Sequence, residues 1–233
     1  MTDQDKAKPK MLRIFGAALA VLVLAGCASP RPISLPTQDG GRVYADVYGD
    51  SDRAVVLAHG GRFNKESWKK QSEILKEAGF RVVAIDFRGR GRSWGGPGSR
   101  LPDDGVHFDV LAAVRYLHET GARTVSVVGA SFGGSAAAQA AAMAPGEIDR
   151  LVLLAATADE PERLTGRKLF ILTREDFSGD AALRLPEIRA QYERTPEPKE
   201  LVVLEGSAHA QLVFETDQGE RLIQEIVRFL SEP

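Results

Sequence analysis

The sequence has almost no cysteine and almost no net charge. Its 233 residues include a single cysteine, Cys27, so no disulfide bond can form within the chain. The formal net charge of −2 provides no field that would attract nucleic acid or a strongly acidic substrate. No internal repeat occurs at periods of about 20 to 50 residues, which excludes a repeat architecture. The length therefore predicts one globular domain with a substantial core.

Motifs for cofactors are also missing. The sequence contains no metal-ligand cluster, no dinucleotide fingerprint and no P-loop lysine motif. We therefore predict a protein that uses neither a metal nor another cofactor.

The N-terminal segment has the three parts of a secretory signal peptide. Residues 1–13 carry four cations, and residues 14–24 are apolar apart from Gly16. This apolar run is too short for a transmembrane helix, which takes about 20 apolar residues. It ends in LAGC at residues 24–27, which resembles the bacterial lipobox, where the cysteine is acylated and becomes the new N-terminus after cleavage. An uncleaved anchor and a chance apolar start are the alternatives.

The lipobox resemblance implies a location and a division of the chain. We expect residues 1–26 to be a lipoprotein signal peptide, residues 27–36 an extended tether with three prolines, and residues 37–233 the domain. Lipidated Cys27 would anchor the protein to a membrane of the bacterial cell envelope. The cysteine is not followed by the aspartate that holds many lipoproteins at the inner membrane. The resemblance therefore implies the outer membrane, facing the periplasm, if the source is Gram-negative.

Short apolar runs alternate with helical patterns over most of the chain. The six runs fall at residues 54–58, 81–87, 124–128, 150–155, 168–172 and 200–204. Continuous runs of this kind are typical of strands that are buried on both faces of a parallel sheet. The helical patterns fall at residues 65–78, 109–119, 133–144, 181–194 and 217–230. The alternation predicts an α/β fold with a doubly wound, mostly parallel sheet.

An antiparallel hairpin is predicted ahead of the first buried run. Residues 33–38 and 42–48 flank Asp39-Gly40-Gly41, and a glycine turn between two such segments is typical of a β-hairpin. We expect this hairpin at one edge of the sheet.

A G-x-S-x-G pattern lies at residues 129–133, between a β-branched run and an alanine-rich helical segment. A strand before the pattern and a helix after it are the context in which it predicts a nucleophile elbow. Such a sharp turn holds the hydroxyl of Ser131 clear of the backbone, where it can meet a base and a carbonyl carbon. Gly129 and Gly133 supply the small flanks that let strand and helix approach. A serine in an ordinary small-residue turn is the alternative.

Chemically capable residues follow the predicted strands at their carboxyl ends, where ligands bind in open α/β sheets. HGG at residues 59–61 follows the first run, and D-x-R-G-x-G-x-S at residues 86–93 follows the second. Ser131, Asp176 and His209 come later, in the chain order that alpha/beta-hydrolases use for serine, acid and histidine. On these motifs nearly all of the predicted domain resembles the alpha/beta-hydrolase superfamily. The resemblance implies the alpha/beta-hydrolase fold and a serine hydrolase.

The resemblance also implies a role for each member of a Ser-His-Asp triad. Ser131 would attack a carbonyl carbon to form an acyl-enzyme, and His209 would take its proton and pass it to the leaving group. Asp176 would orient His209 and stabilise its imidazolium form. A buried structural histidine is the alternative for His209. The alternatives for the acid are three nearby carboxylates: Glu175, Asp180 and Asp159.

In the family, two backbone N–H groups receive the oxyanion of the tetrahedral intermediate. The resemblance assigns these groups to Gly61 and Phe132, although Arg62 here follows two glycines where lipases of the HGGG type have a longer glycine run. The family uses the segment that matches residues 86–93 as a turn held by Asp and Ser hydrogen bonds. An anionic substrate group that meets the arginines of this segment is the alternative.

The predicted site is open to solvent. Many relatives insert a cap between the strands that match 150–155 and 168–172, but too few residues lie between them here for a cap domain. We therefore predict a serine hydrolase that cleaves carboxylic esters or other acyl groups of small molecules. A thioesterase or a serine peptidase on the same scaffold is an alternative, and so is a non-catalytic binding lipoprotein. The expected partners are the substrate and, through lipidated Cys27, a membrane, with no nucleic acid.

Overall fold

The computed structural model describes residues 29–100 and 103–232. The predicted signal peptide and its acceptor Cys27 lie outside the described residues. Within the two described ranges, no helix combines the length and the apolar character that a membrane span requires.

In the described part of the chain, eight strands form a single sheet in the order β1-β2-β4-β3-β5-β6-β7-β8. The strands are β1 (Arg31–Pro36), β2 (Arg42–Tyr48), β3 (Arg53–Ala58), β4 (Arg81–Ile85), β5 (Thr124–Ala130), β6 (Arg150–Leu154), β7 (Arg167–Thr173) and β8 (Lys199–Leu204). Strands β3 to β8 are parallel to one another, whereas β2 is antiparallel to both of its neighbours. Each apolar run named above became a strand, because the sheet buries both of its faces.

Helices cover both faces of the sheet. They are α1 (Lys69–Glu77), α2 (Val106–Glu119), α3 (Phe132–Met143), α4 (Arg184–Arg194) and α5 (Gly219–Ser231), with short 3-10 helices at Lys65–Trp68, Pro161–Arg163 and Ala210–Glu215. The strand order moves one way from β3 to β4 and the other way from β4 to β5. Right-handed crossovers therefore place α1 and α2 on opposite faces. The predicted doubly wound, mostly parallel sheet is confirmed.

The predicted edge hairpin is confirmed, but it begins earlier than the sequence indicated. Residues 31–36 form strand β1 and pair with β2 from Arg31 opposite Val47 to Pro36 opposite Arg42. The prediction of an extended tether over residues 27–36 is therefore wrong for residues 31–36, and the sheet begins six residues before the predicted boundary at 37. An edge strand tolerates prolines, because one row of its N–H groups faces solvent and needs no partner.

Two features of the topology decide what surrounds the carboxyl end of the sheet. Strand β1 is antiparallel to β2, which is antiparallel to β4, so β1 runs in the same direction as β3 to β8. Its first residue, Arg31, pairs with Val47, which pairs with Val83 in the middle of β4, so β1 begins halfway along the sheet and continues past the carboxyl end of β4. Between β6 and β7, residues 155–166 contain only the 3-10 helix Pro161–Arg163, so no cap domain is inserted there, as predicted.

Candidate active site

Ser131 occupies the turn between β5 and α3. Strand β5 ends at Ala130 and α3 begins at Phe132, so a single residue makes the turn. Its backbone has φ 49° and ψ −119°, a conformation that residues other than glycine rarely adopt. Such a residue costs of order 1–3 kcal/mol and persists only where its surroundings hold it. Here the Ser131 N–H donates to the carbonyl of Leu154 at 2.8 Å.

Glycine is required on both sides of this turn. A Cβ atom at Gly129 would lie 2.5 Å from the carbonyl oxygen of Gly133. A Cβ atom at Gly133 would lie 2.4 Å from the carbonyl oxygen of Ala58. Both separations are far below van der Waals contact, so the helix can approach the sheet this closely only without these side chains.

The structure brings Ser131, His209 and Asp176 together. Nε2 of His209 lies 2.7 Å from Oγ of Ser131. Nδ1 of His209 lies 2.8 Å and 3.0 Å from the two carboxylate oxygens of Asp176. A carboxylate only accepts hydrogen bonds, so Nδ1 carries the proton and donates it to Asp176. Nε2 is then free to accept a hydrogen bond from the hydroxyl of Ser131.

Asp176 is the carboxylate that faces His209, and the three alternatives do not. Its side chain is 1% exposed, and Nε of Arg184 lies 3.4 Å from one of its oxygens. Glu175 and Asp159 are exposed to solvent. Asp180 is exposed as well, and its carboxylate accepts a hydrogen bond from the backbone N–H of Ala182 within the same loop.

His59 is a structural histidine. It is fully buried, its Nδ1 donates to the carbonyl of Gly60 at 2.8 Å, and its Nε2 accepts from the N–H of Phe87 at 3.2 Å. Burial lowers the pKa of His59, which favours the neutral ring that these two bonds require. The remaining two histidines, His107 and His118, lie in α2.

The two predicted oxyanion donors are neighbours. A Cβ atom at Gly61 would lie 3.7 Å from Cβ of Phe132, in ordinary contact. Among the described residues, neither the N–H of Gly61 nor that of Phe132 donates to a protein acceptor. Both are therefore available to an oxygen that lies near Ser131. The carbonyl of Gly61 points elsewhere and accepts a hydrogen bond from the guanidinium of Arg90.

Residues 86–93 form a structural turn, as predicted. The carboxylate of Asp86 accepts from the N–H of Lys65 at 2.8 Å, and Oγ of Ser93 accepts from the N–H of Tyr44 at 2.9 Å. These bonds fasten the turn to the 3-10 helix before α1 and to β2.

The arginines of this turn are occupied by the protein itself. Arg88 is buried and pairs with Asp109 at 2.7 Å and with Asp39 at 2.6 Å. Arg90 contacts Gly61, and the guanidinium of Arg92 stacks 4.4 Å above the ring of Tyr44. The structure therefore provides no support for the alternative in which they meet an anionic substrate.

A cavity of about 200 Å³ lies beside the two oxyanion donors. It is lined by Gly61, Phe87, Arg88, Gly89, Arg90, Asp103 and Phe132, and not by Ser131, His209 or Asp176. A larger cavity of about 710 Å³ lies between β1 and α2, and Ser131, His209 and Asp176 do not line it either. In the described ranges, no group of three or more His, Cys, Asp and Glu side chains has the arrangement of a metal site.

Sequence reasoning missed Gln211, which supports the loop that carries Gly61. Its side chain is buried, and its Oε1 accepts from the N–H of Gly60 at 2.7 Å. One signal could have found it. Gln211 is a lone uncharged amide in an otherwise apolar stretch that follows His209 directly, and such a residue becomes buried only with hydrogen-bond partners.

Comparison with known proteins gives one family. The sequence model described as "Alpha/beta hydrolase family" matches residues 55–213, which include the HGG segment, the turn at 86–93, the elbow, Asp176 and His209.

Among individual proteins, the chain is similar to two bacterial enzymes. It is 32% identical over 140 residues to an esterase of Mycobacterium tuberculosis, which covers 60% of this chain and 44% of that protein. It is 35% identical over 127 residues to a bifunctional esterase/perhydrolase of Acinetobacter calcoaceticus, which covers 52% of this chain and 43% of that protein. The chain thus matches less than half of the length of these relatives.

Among solved structures, the fold is similar to that of an esterase from Exiguobacterium antarcticum. The TM-score is 0.69 with 16% sequence identity, over 87% of this chain and the whole of the other. At this identity the likeness concerns the fold alone.

Proposed function

The chain belongs to the alpha/beta hydrolase family, and we propose that it is a serine esterase that acts through Ser131, His209 and Asp176. The observation that carries the proposal is the line of hydrogen bonds at 2.7 Å from Ser131 to His209 and 2.8 Å from His209 to Asp176. These distances are those that a nucleophile, a general base and its orienting acid require. The esterase names of the two relatives support the same reaction class.

The proposed reaction has two halves. In the first, Oγ of Ser131 bonds to the ester carbonyl carbon while its proton moves to Nε2 of His209. The tetrahedral intermediate then collapses, the bond to the alcohol oxygen breaks, and the alcohol leaves with that proton. In the second half, water gives a proton to Nε2 and attacks the acyl-enzyme, which releases the acid and restores the hydroxyl of Ser131.

The proposed oxyanion donors are the N–H groups of Gly61 and Phe132. Negative charge develops on the carbonyl oxygen in the transition state, and donors that are already aimed at it lower the barrier. Neither group has a protein acceptor among the described residues, and a Cβ atom at Gly61 would lie in ordinary contact with Cβ of Phe132. The cavity of about 200 Å³ that they line lies on the oxyanion side of the proposed site.

Hydrolysis of p-nitrophenyl esters from acetate to palmitate tests this proposal. Purified protein should release p-nitrophenol, and Ser131→Ala should lower kcat by about 10³-fold or more, because the nucleophile is lost. Ser135→Ala is the matched control: it removes a hydroxyl one turn further along α3, where Oγ lies 3.5 Å from Thr157. A Ser131→Ala variant that keeps wild-type turnover would overturn the proposal.

We also propose that the protein is held at the cell envelope by lipidated Cys27. The support is the basic, apolar and LAGC sequence of residues 1–27. An anchor at Cys27 would join the domain at Arg31, where β1 begins.

Fractionation of cells that express the full chain tests the anchor. Wild-type protein should sediment with membranes, and Cys27→Ser should move to the soluble fraction, because no acyl chain can be attached. Ser29→Ala, which leaves the acceptor thiol in place, should stay with membranes. If Cys27→Ser remains membrane-bound to the same extent as wild type, the lipoprotein proposal fails.

A further inference from the structure

Gln211 joins the two loops on which the proposed reaction depends. It lies two residues after His209, in the 3-10 helix Ala210–Glu215, and it is 5% exposed. Its Oε1 accepts from the N–H of Gly60 at 2.7 Å, and its Nε2 donates to Oγ of Ser67 at 3.0 Å. The side chain therefore spans from the segment that carries His209 to the loop that carries Gly61.

The orientation of this amide is determined by its partners. The N–H of Gly60 can only donate, so the atom that faces it must be the carbonyl oxygen of Gln211. The hydroxyl of Ser67 can accept from Nε2, because it donates its own proton to the carbonyl of Asn64 at 2.5 Å. A buried amide with both ends bonded has no alternative position of similar energy, since a lost bond would leave a buried polar group unpaired.

Two successive peptide groups are thereby held beside the site. Gln211 holds the peptide between His59 and Gly60 through its N–H. The next peptide is held through the carbonyl of Gly60, which accepts from Nδ1 of His59 at 2.8 Å and from the N–H of Phe63 at 3.0 Å. Because a peptide group is planar, this carbonyl and the N–H of Gly61 lie in one plane, and fixing the first aims the second.

The flexibility of Gly60 makes the hydrogen bond from Gln211 necessary. Gly60 lies between the two held peptides and has no side chain to restrict its φ and ψ angles. Without the bond from Gln211, only the two bonds to the Gly60 carbonyl hold this segment, so the peptide before Gly60 can rotate and the Gly61 N–H can shift with the loop. A displacement of about 1 Å at a catalytic group can cost about 10²-fold in rate.

We propose that Gln211 is a positioning residue, which sets the N–H of Gly61 relative to Ser131 and His209. The inference rests on the proposed function, since it assigns Gly61 to the oxyanion. A donor that acts on the developing charge stabilises the transition state more than the bound ester. Loss of Gln211 should therefore lower kcat and leave KM nearly unchanged.

The test compares two substitutions of similar size at this position. Gln211→Met removes both hydrogen bonds, and kcat for p-nitrophenyl acetate should fall about 10- to 100-fold with KM within about twofold, since loss of a whole oxyanion donor costs about 10²- to 10³-fold. Gln211→Glu keeps an acceptor for the N–H of Gly60, so kcat should stay within about fivefold of wild type. A boronic acid analogue of the transition state should bind Gln211→Met more weakly in proportion to the loss of kcat.

Ser67→Ala is a milder variant that tests the same role if Gln211→Met does not fold. Ser67→Ala removes the acceptor of Nε2 at a half-exposed position without touching Gly60. We expect a two- to fivefold fall in kcat with unchanged KM, about the effect of one weakened hydrogen bond.

The outcomes separate this inference from the proposed function. If Ser131→Ala is inactive while folded Gln211→Met and Ser67→Ala both keep wild-type kcat, the positioning role is overturned and the esterase proposal stands. If Gln211→Met loses thermal stability while its kcat per folded molecule and its inhibitor affinity are unchanged, Gln211 is structural only. If Ser131→Ala retains activity, the oxyanion assignment falls and the role of Gln211 falls with it.

Discussion

Glycines with positive φ occur at both ends of the sheet, with Gly89 and Gly206 among those at the carboxyl end, but within the described residues the other residue types adopt positive φ only at the carboxyl end. At the amino end, the chain enters β3 to β7 after glycines with positive φ: Gly49, Gly79, Gly121, Gly146 and Gly166. In the described part of the chain, four residues other than glycine have positive φ, and each follows the carboxyl end of a strand. Ser131 follows β5, Ala155 follows β6, Ala181 lies in the loop after β7, and Ala210 follows β8.

This difference shows where the molecule holds strain. Glycine adopts positive φ without a steric cost, whereas alanine or serine there costs of order 1–2 kcal/mol. Strained residues are found where a site requires a particular backbone direction. Ser131 is the proposed nucleophile, and Ala210 lies between His209 and Gln211. We therefore infer that the amino end of the sheet serves as a scaffold and that the proposed reaction takes place at the carboxyl end.

The largest effect should come from the acid at the carboxyl end. Asp176→Asn keeps the size of the side chain but removes the charge that stabilises the imidazolium and fixes the Nδ1 proton of His209. We expect kcat to fall by about 10³- to 10⁴-fold, with wild-type secondary structure by circular dichroism. Glu175→Gln and Asp180→Asn change exposed carboxylates of the same loop and should stay within about threefold. Equal losses in all three variants would break the assignment of Asp176.

The next effect concerns stability and contrasts a buried ion pair with an exposed one. Asp109 is fully buried against Arg88, so Asp109→Ala removes the hydrogen bonds to the backbone and guanidinium of Arg88 and leaves that buried cation with Asp39 as its remaining carboxylate partner. It should lower the free energy of unfolding by about 3 kcal/mol. At the amino end, Arg123 pairs with Asp52 at 2.5 Å, but its side chain is 79% exposed. Arg123→Ala should cost at most about 1 kcal/mol. Urea unfolding of both variants measures the difference, and similar losses would contradict it.

A smaller effect should appear at acid pH. Burial disfavours the charged form of Asp39, but hydrogen bonds from Arg88 and Thr37 outweigh it and lower its pKa to about 2. Because the folded pKa lies below the unfolded value of 3.8, this carboxylate stabilises the fold fully above about pH 4 and loses that contribution as pH falls towards 2. Allowing for its partial exposure, we expect about 1 kcal/mol. The stability difference between wild type and Asp39→Asn should shrink over this pH range, and a constant difference would refute the linkage.

The smallest effects test the strain comparison directly. A Cβ atom at Gly121 would meet nothing within 4 Å, so Gly121→Ala adds the cost of positive φ, partly offset because alanine restricts the unfolded chain, and should destabilise by about 1 kcal/mol. Ala181 is exposed with φ 64°, so Ala181→Gly relieves strain but gives the unfolded chain more freedom, worth about 0.4–1 kcal/mol. The expected net change lies between neutral and about 1 kcal/mol of stabilisation. Destabilisation by Ala181→Gly as large as that by Gly121→Ala would reverse the comparison.

Sequence patterns predicted the strands and the order of the site residues for a physical reason. A strand that is buried on both faces is apolar throughout, so runs such as 54–58 and 124–128 mark strands directly. In a parallel sheet, residues that follow different strands meet at one edge. Ser131 and His209 could therefore be paired although they lie 78 positions apart.

The misses have physical reasons as well. Strand β1 begins at Arg31 because it pairs with the free edge of β2. Strand β2 comes later in the chain, so the local sequence of the proline-rich segment does not indicate this pairing. Gln211 was missed because its burial depends on Gly60 and Ser67, which are distant in sequence. Glu175 and Asp180 could not be separated from Asp176 by spacing, since only the local backbone decides which carboxylate turns inward.

The most direct test of the account is the reaction of the folded protein with a fluorophosphonate, followed by mass spectrometry of the intact chain and of its peptides. An activated serine attacks this reagent, whereas ordinary hydroxyl groups do not. We predict one adduct per molecule, on the peptide that contains Ser131, with Ser135→Ala labelled like wild type and Ser131→Ala and His209→Ala unlabelled. Folded wild-type protein that takes no adduct, or takes it at another residue, would contradict the central claim.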